Sequence, residues 1–328
     1  MEILRSHHGV AAELRNGVLA IGNFDGVHRG HQAVLQAAKD AARAAGRLAG
    51  VMVFEPHPRQ FFAPDKPLFR LTSLDRKLKL FEAFGLDLAI VLTFDKELAG
   101  RTAEDFVSTI LVEGFGISHA VLGYDFCFGK GRKGTPETMR CLGKTHNFEV
   151  TVVAPAGDGD DVFSSSRIRD LLRHGDVRGA AKLLGYWWGL SGPVEGGAGR
   201  GTGLGFPTAN LRVPGSVQLM HGIYAARVHA GGQIYRAAAY FGTRPTFEEG
   251  EAVLEAFLLD FEGDLYGQEI LIELIDFLRG DQKFHSVEAL KAQVAADCAR
   301  AARVLDELND GDPLVTSPLA ALSTAQIS

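Results

Sequence analysis

Two histidines three residues apart follow a short apolar run near the start of the chain. The apolar run covers residues 18–21, and the next ten residues read Gly-Asn-Phe-Asp-Gly-Val-His-Arg-Gly-His, with the histidines at His28 and His31. An Ala- and Leu-rich stretch at 32–45 comes next and predicts a helix. Side chains at this spacing share one helical face, so both imidazoles can reach one ligand. Because the first N–H groups of a helix have no partner within it, the place suits a phosphate group.

Glycines at Gly22, Gly26 and Gly30 surround this motif and would let a ligand approach the backbone closely. The His-x-Gly-His spacing alone arises often by chance, and a polar loop with surface histidines is the alternative interpretation. The order of strand, glycine loop and helix favours a site for a nucleoside triphosphate.

The overall composition limits the classes of protein to consider. At 328 residues the chain exceeds the usual size of one domain, so we expect two. The net charge of −6 comes with no long basic run, which argues against nucleic acid as a partner. We expect no signal peptide and no membrane span, because no apolar run approaches about 20 residues. Three scattered cysteines fit reduced thiols and a cytoplasmic location; the oligomeric state stays unknown.

Apolar runs alternate with helix-compatible stretches between residues 17 and 153. The runs typical of strands are 18–21, 48–54, 88–94, 119–123 and 148–154. The helix-compatible stretches between them are 32–45, 75–84 and 103–113. This alternation predicts an α/β doubly wound parallel sheet, Rossmann-like, with its binding site at the carboxyl ends of the strands. Two short helices follow, one capped within the serines at 164–166 and the other capped by Asp176.

The pattern changes after Gly185. Glycine and turn residues cluster at 189–205, and four runs of strand character follow, at 222–230, 233–241, 252–261 and 268–278. They predict a small antiparallel β-barrel. An amphipathic helix over 286–308 follows, with Val287, Leu290, Val294 and Cys298 on its buried face. We therefore predict domains at 1–185 and 186–311, and a disordered tail at 312–328.

Three further segments carry polar groups suited to chemistry. Residues 164–169 read Ser-Ser-Ser-Arg-Ile-Arg, a helix start followed by two cations, which can bind an anion or be an ordinary capped helix. A glycine-rich run at 199–205 can wrap phosphates with its N–H groups, although glycine richness alone is more typical of a mobile loop. It precedes Phe-Pro-Thr-Ala-Asn, where Thr208 and Asn210 share one strand face and offer oxygens to a cation such as Mg²⁺.

These motifs resemble those of the prokaryotic FAD synthetases, which are bifunctional riboflavin kinases and FMN adenylyltransferases. The first half carries their His-x-Gly-His loop at 22–31 and their Ser-Ser-Thr-x-Ile-Arg motif at 164–169, with Ser166 in place of threonine. The second half resembles riboflavin kinases through the Phe-Pro-Thr-Ala-Asn run. Further counterparts lie at 222–225, 242–247, 254–261, 264–267, 277–279 and 283–284. The resemblance covers roughly residues 17 to 308.

The resemblance implies two reactions with ATP: phosphorylation of riboflavin to FMN, and adenylylation of FMN to FAD with release of pyrophosphate. It implies that His28, His31 and Arg169 act on the ATP phosphates of the second reaction. Glu255 would accept the proton of the ribityl 5′-hydroxyl, with Mg²⁺ at Thr208 and Asn210. The residues expected to bind nucleotide or flavin are Gly22, Asn23, Phe24, Asp25, Gly30, Asp125, Ser164, Ser165, Ser166, Arg167, Gly201, Gly203, Gly205, Thr208, Asn210 and Arg279.

Two of these residues have ordinary alternatives. Strand alternation alone favours a solvent-facing Glu255, because Leu254, Ala256 and Leu258 would share the opposite face. Arg279 is equally compatible with a surface ion pair.

The chain departs from the family pattern at several positions. Tyr240 and Phe241 stand where the family has Asn-Ile, Phe257 where it has His, and Asp281 where it has Glu. Residues 186–188, Tyr-Trp-Trp, replace Arg-Pro-Tyr. None of these changes removes a proposed catalytic group, but Tyr240 and Phe257 could reshape the kinase pocket. Two alternatives therefore stay open: an FMN adenylyltransferase with a silent kinase site, and a flavin-binding regulator without catalysis.

Overall fold

The computed structural model describes residues 1–158, 161–195, 208–243, 252–259, 261–308 and 319. Backbone contacts divide the chain into two compact units. The first contains Met1–Leu68 and Ser73–Ser164, and the second contains Phe69–Thr72 and Ser165–Ser328. The domain boundary at residue 185 stays a prediction. Gly201, Gly203, Gly205 and, apart from Leu319, the tail at 312–328 lie outside the described residues.

The first unit is built on a six-stranded parallel sheet. Its strands in chain order are β1 (Glu2–Leu4), β2 (Val18–Ile21), β3 (Ala49–Glu55), β4 (Leu88–Thr93), β5 (His119–Gly123) and β6 (Glu149–Val153). Across the sheet they follow the order β1-β4-β3-β2-β5-β6. The order therefore runs away from β2 in both directions, as in doubly wound folds, and the predicted fold class is confirmed.

The helices of the first unit lie between these strands in the chain. They are α1 (Arg29–Ala45), α2 (Pro58–Phe62), α3 (Leu74–Ala83), α4 (Lys96–Gly100), α5 (Ala103–Asp105) and α6 (Pro136–His146). Helix α5 continues into a π-helical segment, Phe106–Gly114. On α1 the buried side chains Val34, Leu35, Ala38 and Ala42 recur every three or four residues. This spacing gives the helix one apolar face.

The central strands match the predicted runs within two residues, because strands covered on both faces are almost wholly apolar. The elements not predicted from the sequence include α2, α4, α6, the strand β1 and the antiparallel pair of β7 (Gly157–Asp158) and β8 (Asp161–Val162). Most of these elements are short, and their hydrophobic periodicity is too brief to recognise.

The described residues of the second unit form a six-stranded antiparallel sheet and three helices. The elements are α7 (Ser165–Arg173), α8 (Val177–Leu184), β9 (Gly189–Pro193), β10 (Thr208–Arg212), β11 (Gly222–Ala230), β12 (Gln233–Thr243), β13 (Ala252–Leu258), β14 (Glu269–Arg279) and α9 (Val287–Asp306). The strand order is β10-β13-β12-β11-β14-β9. A bridge between Glu195 and Asn210 brings the two edges together, so the sheet is a nearly closed barrel, as predicted.

Helix α9 packs against one face of the barrel. Its buried residues Val294, Cys298, Ala301 and Leu305 belong to a cluster with side chains of the strands. Val287 was predicted on this face and is 60% exposed, so that prediction is wrong. Val287 is the first residue of the helix, and side chains there lean toward the N-terminus, before the packed face begins. Among the described residues, no helix has the length and apolarity needed to cross a membrane.

Candidate active sites

The histidine loop follows β2, the strand from which the sheet order runs in both directions. His28 is the N-cap of α1, and its Nδ1 accepts a hydrogen bond from the N–H of His31 at 3.3 Å. The two imidazole rings are stacked, with centroids 3.6 Å apart and planes at 19°. Ligands of doubly wound sheets bind at this position. The structure thus brings the two predicted histidines together at the expected edge.

Two residues of this loop have backbone conformations that residues other than glycine rarely adopt. Phe24 has φ of +48° and Val27 has φ of +38°, both in the left-handed region. Both side chains are buried. Such conformations persist only where the surroundings impose them, and they concentrate at functional sites.

Gly30 makes room for the first imidazole. A Cβ at this position would lie 3.2 Å from Nδ1 of His28 and 3.4 Å from the carbonyl oxygen of Phe163. A side chain here would therefore press on the His28 ring. Gly22 is similarly close to the Phe24 ring, at 3.1 Å from an added Cβ.

Burial lowers the pKa of His31 well below its ordinary value of 6.5, and His28 and Lys77 lower it further. The ring is therefore neutral at pH 7 and carries one N–H donor. Its Nδ1 is buried without a hydrogen-bond partner among the described residues, and so is Oδ1 of Asn23 in the same loop. Because an unpaired buried polar atom is costly, these two atoms fit a polar ligand such as a nucleotide.

We expect the protein to lose stability as the pH falls below about 6.5. Burial is the largest cause of the lowered pKa of His7, His31 and His119, so the unfolded chain binds more protons than the folded one in acid. The stabilisation is complete above pH 6.5 and is lost as the pH falls through the folded-state pKa values. For His31, each tenfold loss of proton affinity is worth about 1.4 kcal/mol. Thermal unfolding between pH 8 and 5.5 should show a falling midpoint, and His31→Gln should reduce the fall. A midpoint that stays level would contradict this.

Aromatic side chains cluster where β3 and β4 end, a feature that the sequence analysis missed. Phe94, just after β4, makes edge-to-face contacts with Phe54, Phe61 and Phe62 at 5.3–6.1 Å. Phe62 is 66% exposed, which leaves an apolar ring open at the ligand edge of the sheet. The rings come from separate segments, so only the adjacent Phe61 and Phe62 were visible as a local signal. Asp125 lies exposed just after β5.

The serine and arginine motif begins at Ser164 in the first unit and continues in α7 of the second. Arg169 is buried, and its Nε donates to the carbonyl oxygen of Phe69 at 2.5 Å, within the second unit. Arg167 and Ser165 are half-buried, and Ser166 is exposed. The contribution of these residues to the same site as His28 and His31 stays a prediction.

Strand register assembles the second set of predicted residues. Asn210 on β10 stands opposite Glu255 on β13, and Glu255 stands opposite Tyr240 on β12. Thr208 lies two residues before Asn210 and so on the same face. Directly opposed side chains have Cβ atoms about 4.5–5.5 Å apart. The structure therefore places Asn210, Glu255 and Tyr240 in one row across the sheet, which we call the Glu255 row, with Thr208 beside it on the same face.

Glu255 is buried, with 8% of its surface exposed, so the solvent-facing alternative is wrong. The face that carries Glu255 is covered in part, because Phe257 and Tyr240 belong to the cluster against which α9 packs. The opposite face carries Leu254, Ala256 and Leu258, all buried. Alternation along the strand was predicted correctly, but both faces of this strand are covered.

Tyr240 and Phe257 are two departures from the family pattern. Tyr240 belongs to this row, and Phe257 lies next to it on the same face, two residues after Glu255. Tyr240 lies over Gly242, because a Cβ on Gly242 would fall 2.2 Å from the phenol oxygen. Phe257 stands opposite Thr208. The two side chains therefore border the predicted cation ligand and the predicted base.

Arg279 makes an ion pair with α9. Its Nε and Nη2 donate to the carboxylate of Asp297 at 2.9 and 2.7 Å, and the guanidinium lies 5.9 Å from the Phe284 ring centroid. Such two-bond pairs are the strong class of ion pair. The structure thus shows the ion-pair alternative, and a role for Arg279 toward phosphate stays a prediction.

The oxygen donors around Thr208 can bind a hard cation only if substrate oxygens and water complete its coordination shell. Within the described parts of the chain, no three His, Cys, Asp or Glu side chains could hold a metal ion together. The Thr208 hydroxyl and Asn210 amide supply oxygen donors of the kind Mg²⁺ prefers. Because Mg²⁺ usually takes few protein ligands and completes its shell with phosphate oxygens and water, this donor set fits it.

Comparisons with known proteins agree with both halves. The family model for FAD synthetase matches residues 10–167, and that for riboflavin kinase matches 184–305. Three relatives are each named bifunctional riboflavin kinase/FMN adenylyltransferase. The relative from Escherichia coli K12 is 38% identical over 90% of this chain and 96% of its own length. The relative from Pseudomonas fluorescens is 38% identical over 93% of this chain and 98% of its own length, and the one from Bacillus subtilis is 35% identical over 94% and 98%.

A crystal structure from Streptococcus pneumoniae, described as a macrolide-efflux protein, has a TM-score of 0.81 with this chain. The two sequences are 30% identical, and the matched region covers 94% of this chain and 99% of the Streptococcus pneumoniae chain. Its name points to a different activity from the family models. The family models and the relatives carry greater weight, because each half of the chain matches its own family model and the three relatives are more similar to this chain in sequence, at 35–38% identity.

The fold and the two sets of residues define a two-domain transferase that uses a nucleotide. One domain has two stacked histidines at the start of a helix on a doubly wound sheet, and the other has a buried carboxylate beside oxygen donors on a barrel. The chain belongs to the family of bifunctional riboflavin kinase/FMN adenylyltransferases.

Proposed function

We propose that the chain carries out two successive steps of flavin cofactor synthesis. The first transfers the γ-phosphoryl group of ATP to the 5′-hydroxyl of riboflavin and yields FMN and ADP. The second transfers AMP from another ATP to the phosphate of FMN and yields FAD and pyrophosphate. The observation that carries the proposal is that two family models match separate stretches, 10–167 and 184–305.

The adenylyl transfer needs no covalent enzyme intermediate. An oxygen of the FMN phosphate attacks the α-phosphorus of ATP, and the bond from that phosphorus to the bridging oxygen breaks as pyrophosphate leaves. The protein has to align two anions and stabilise the charge that grows on the phosphoryl oxygens. We assign this task to the start of α1, to His28 and His31, and to Arg167 and Arg169 of the serine and arginine motif.

The unpartnered atoms of the histidine loop suit specific parts of the nucleotide. The neutral His31 ring can donate one N–H to a phosphate oxygen. Oδ1 of Asn23 can accept a hydrogen bond from an amino or hydroxyl group. Gly22, Phe24 and Gly30 shape the loop. The remaining predicted ligands of nucleotide or flavin in this part of the chain are Asp25, Asp125, Ser164, Ser165 and Ser166.

The aromatic cluster at Phe54, Phe61, Phe62 and Phe94 suits the isoalloxazine ring of FMN. A flat, largely apolar ring gains free energy by covering the exposed face of Phe62. The cluster lies at the carboxyl ends of β3 and β4, on the edge of the sheet where doubly wound folds bind their ligands.

In the kinase reaction, we assign Glu255 as the acceptor of the riboflavin hydroxyl proton. The hydroxyl oxygen attacks the γ-phosphorus, and the bond to the bridging oxygen breaks as ADP leaves. Thr208 and Asn210 would hold Mg²⁺, which supplies neutralisation of the phosphate charge when bound. Backbone N–H groups at Gly201, Gly203 and Gly205 are proposed to bind phosphate, as the resemblance implies. Arg279 is a further candidate for phosphate.

The three cysteines, Cys127, Cys141 and Cys298, are free thiols, which supports a cytoplasmic location. The proposed partners are the small molecules ATP, riboflavin and FMN.

A kinase-silent FMN adenylyltransferase is the second candidate, because Tyr240 faces Glu255 directly. Incubation of the purified chain with riboflavin, ATP and Mg²⁺, with flavins separated by chromatography, distinguishes the two. We expect FMN to appear first and FAD later. FAD formed only from added FMN would indicate a silent kinase site. Flavin binding with no turnover of ATP would indicate the regulator instead.

A further inference from the structure

A buried lysine holds the histidine loop from a neighbouring helix. Lys77 on α3 is 1% exposed, and its Nζ donates to the main-chain oxygen of Asn23 at 2.9 Å. Removing an ammonium group from water costs several kcal/mol, which an apolar side chain of similar size would avoid. A positive charge near the start of a helix also opposes the helix dipole. The hydrogen bond to Asn23 joins this buried ammonium to the histidine loop.

Helix α3 contacts the loop at a second point. Phe81, one turn after Lys77, makes an edge-to-face contact with Phe24 at 5.9 Å. Phe24 in turn contacts the His31 ring at 5.2 Å. Because Phe24 has a left-handed backbone, its neighbours have to hold it in place. Lys77 donates a hydrogen bond to the main chain of Asn23, the residue before Phe24, and Phe81 packs on the Phe24 ring.

The charge of Lys77 acts on the His31 ring as well as on the backbone of the loop. Apart from burial itself, the groups that lower the pKa of His31 are His28, beside it on the loop, and Lys77, from α3. Charges in a buried site are screened weakly by salt. A fixed ammonium next to a neutral imidazole therefore attracts a triphosphate without the imidazole itself being charged.

We propose that Lys77 is a positioning residue of the adenylyl-transfer site, which holds the bend at Asn23 and Phe24 and supplies fixed positive charge beside the stacked histidines. The proposal rests on the proposed function of the first unit. The role of Lys77 differs from the roles of His28 and His31. The histidines are proposed to act on the phosphoryl oxygens directly, whereas Lys77 acts through the position of the loop.

The test compares Lys77→Met, which removes the charge at similar volume, with Lys77→Arg, which keeps it. Lys79→Met, half-buried on the same helix, is the matched control. We expect Lys77→Met to lower kcat/KM for FAD formation from FMN by about 100-fold, the cost of a slightly misplaced reacting group. Lys77→Arg should recover part of this loss, and riboflavin phosphorylation should be unchanged in all three variants.

A second readout does not depend on activity. NMR titration of the histidine rings should show the pKa of His31 rising in Lys77→Met and staying unchanged in Lys79→Met. An unchanged His31 pKa with normal FAD formation would overturn the proposal. If Lys77→Met does not fold, Lys77→Gln takes its place, judged by the same comparison with Lys77→Arg. If the unsubstituted chain makes no FAD, the proposed function fails, yet the titration still decides the role of Lys77.

Discussion

Replacing Glu255 with glutamine should slow riboflavin phosphorylation by about 10²–10⁴-fold, the usual loss when a general base is removed. Conversion of added FMN to FAD should continue at the normal rate. Glutamine keeps the shape of the side chain and its place in the Glu255 row between Asn210 and Tyr240, but it cannot accept the hydroxyl proton. Separate assays with riboflavin and with FMN as the starting flavin measure the two steps.

Glu273→Gln is the matched control for this experiment. Glu273 is also a buried carboxylate of the barrel, hydrogen-bonded to His229 at 2.9 Å. On the neighbouring strand β11, Ile223 is opposite Tyr240 of the Glu255 row, and Arg227 is opposite Glu273. Four residues along β11 separate Ile223 from Arg227, so Glu273 lies at least about 13 Å from the row. We expect Glu273→Gln to retain kinase activity. If Glu255→Gln abolished both reactions in a folded protein, two separate sites would be the wrong description.

The second large effect is expected at the histidine pair. His31→Ala should lower FAD formation from FMN by about 10²–10³-fold, as when one preorganised donor to a transition state is lost. The ring is neutral, so the loss reflects a hydrogen bond and its geometry instead of a removed charge. The same protein should still convert riboflavin to FMN, which then accumulates. Chromatography of the flavins after a fixed time would show that accumulation directly.

His8→Ala provides the comparison for this variant, since His8 is an exposed histidine of the same unit outside the motif. It should leave both reactions unchanged. His31→Ala also removes the ring that stacks on His28 and contacts Phe24, so some loss of stability is expected. Normal FAD formation by a folded His31→Ala protein would remove His31 from the proposed mechanism.

Local patterns in the chain were sufficient to predict the fold class of both domains. The central parallel strands are continuous apolar runs, because both faces of that sheet are covered. The barrel strands β11 to β14 also appeared as separate runs, bounded by turns such as the one at Gly231 and Gly232. Strand β9 did not, because its residues fall in the stretch that was predicted as a cluster of glycine and turn residues. Short elements such as α2 and β1 were missed, because three to five residues carry too little periodicity. The missed helix α2 carries Phe61 and Phe62 of the aromatic cluster.

The sequence by itself determined which groups are present: the histidine pair, the threonine and asparagine oxygens, and Glu255 on a strand. Its motifs also indicated the family. Only the tertiary structure decided what surrounds these groups. Period-two alternation tells which residues of a strand share a face, but it does not tell what stands opposite Glu255 or that α9 packs on that face. The contact of Lys77 with Asn23 joins residues 54 positions apart. The pair of Arg279 with Asp297 likewise joins a strand to a helix. Such contacts arise from packing between elements, which no local pattern encodes.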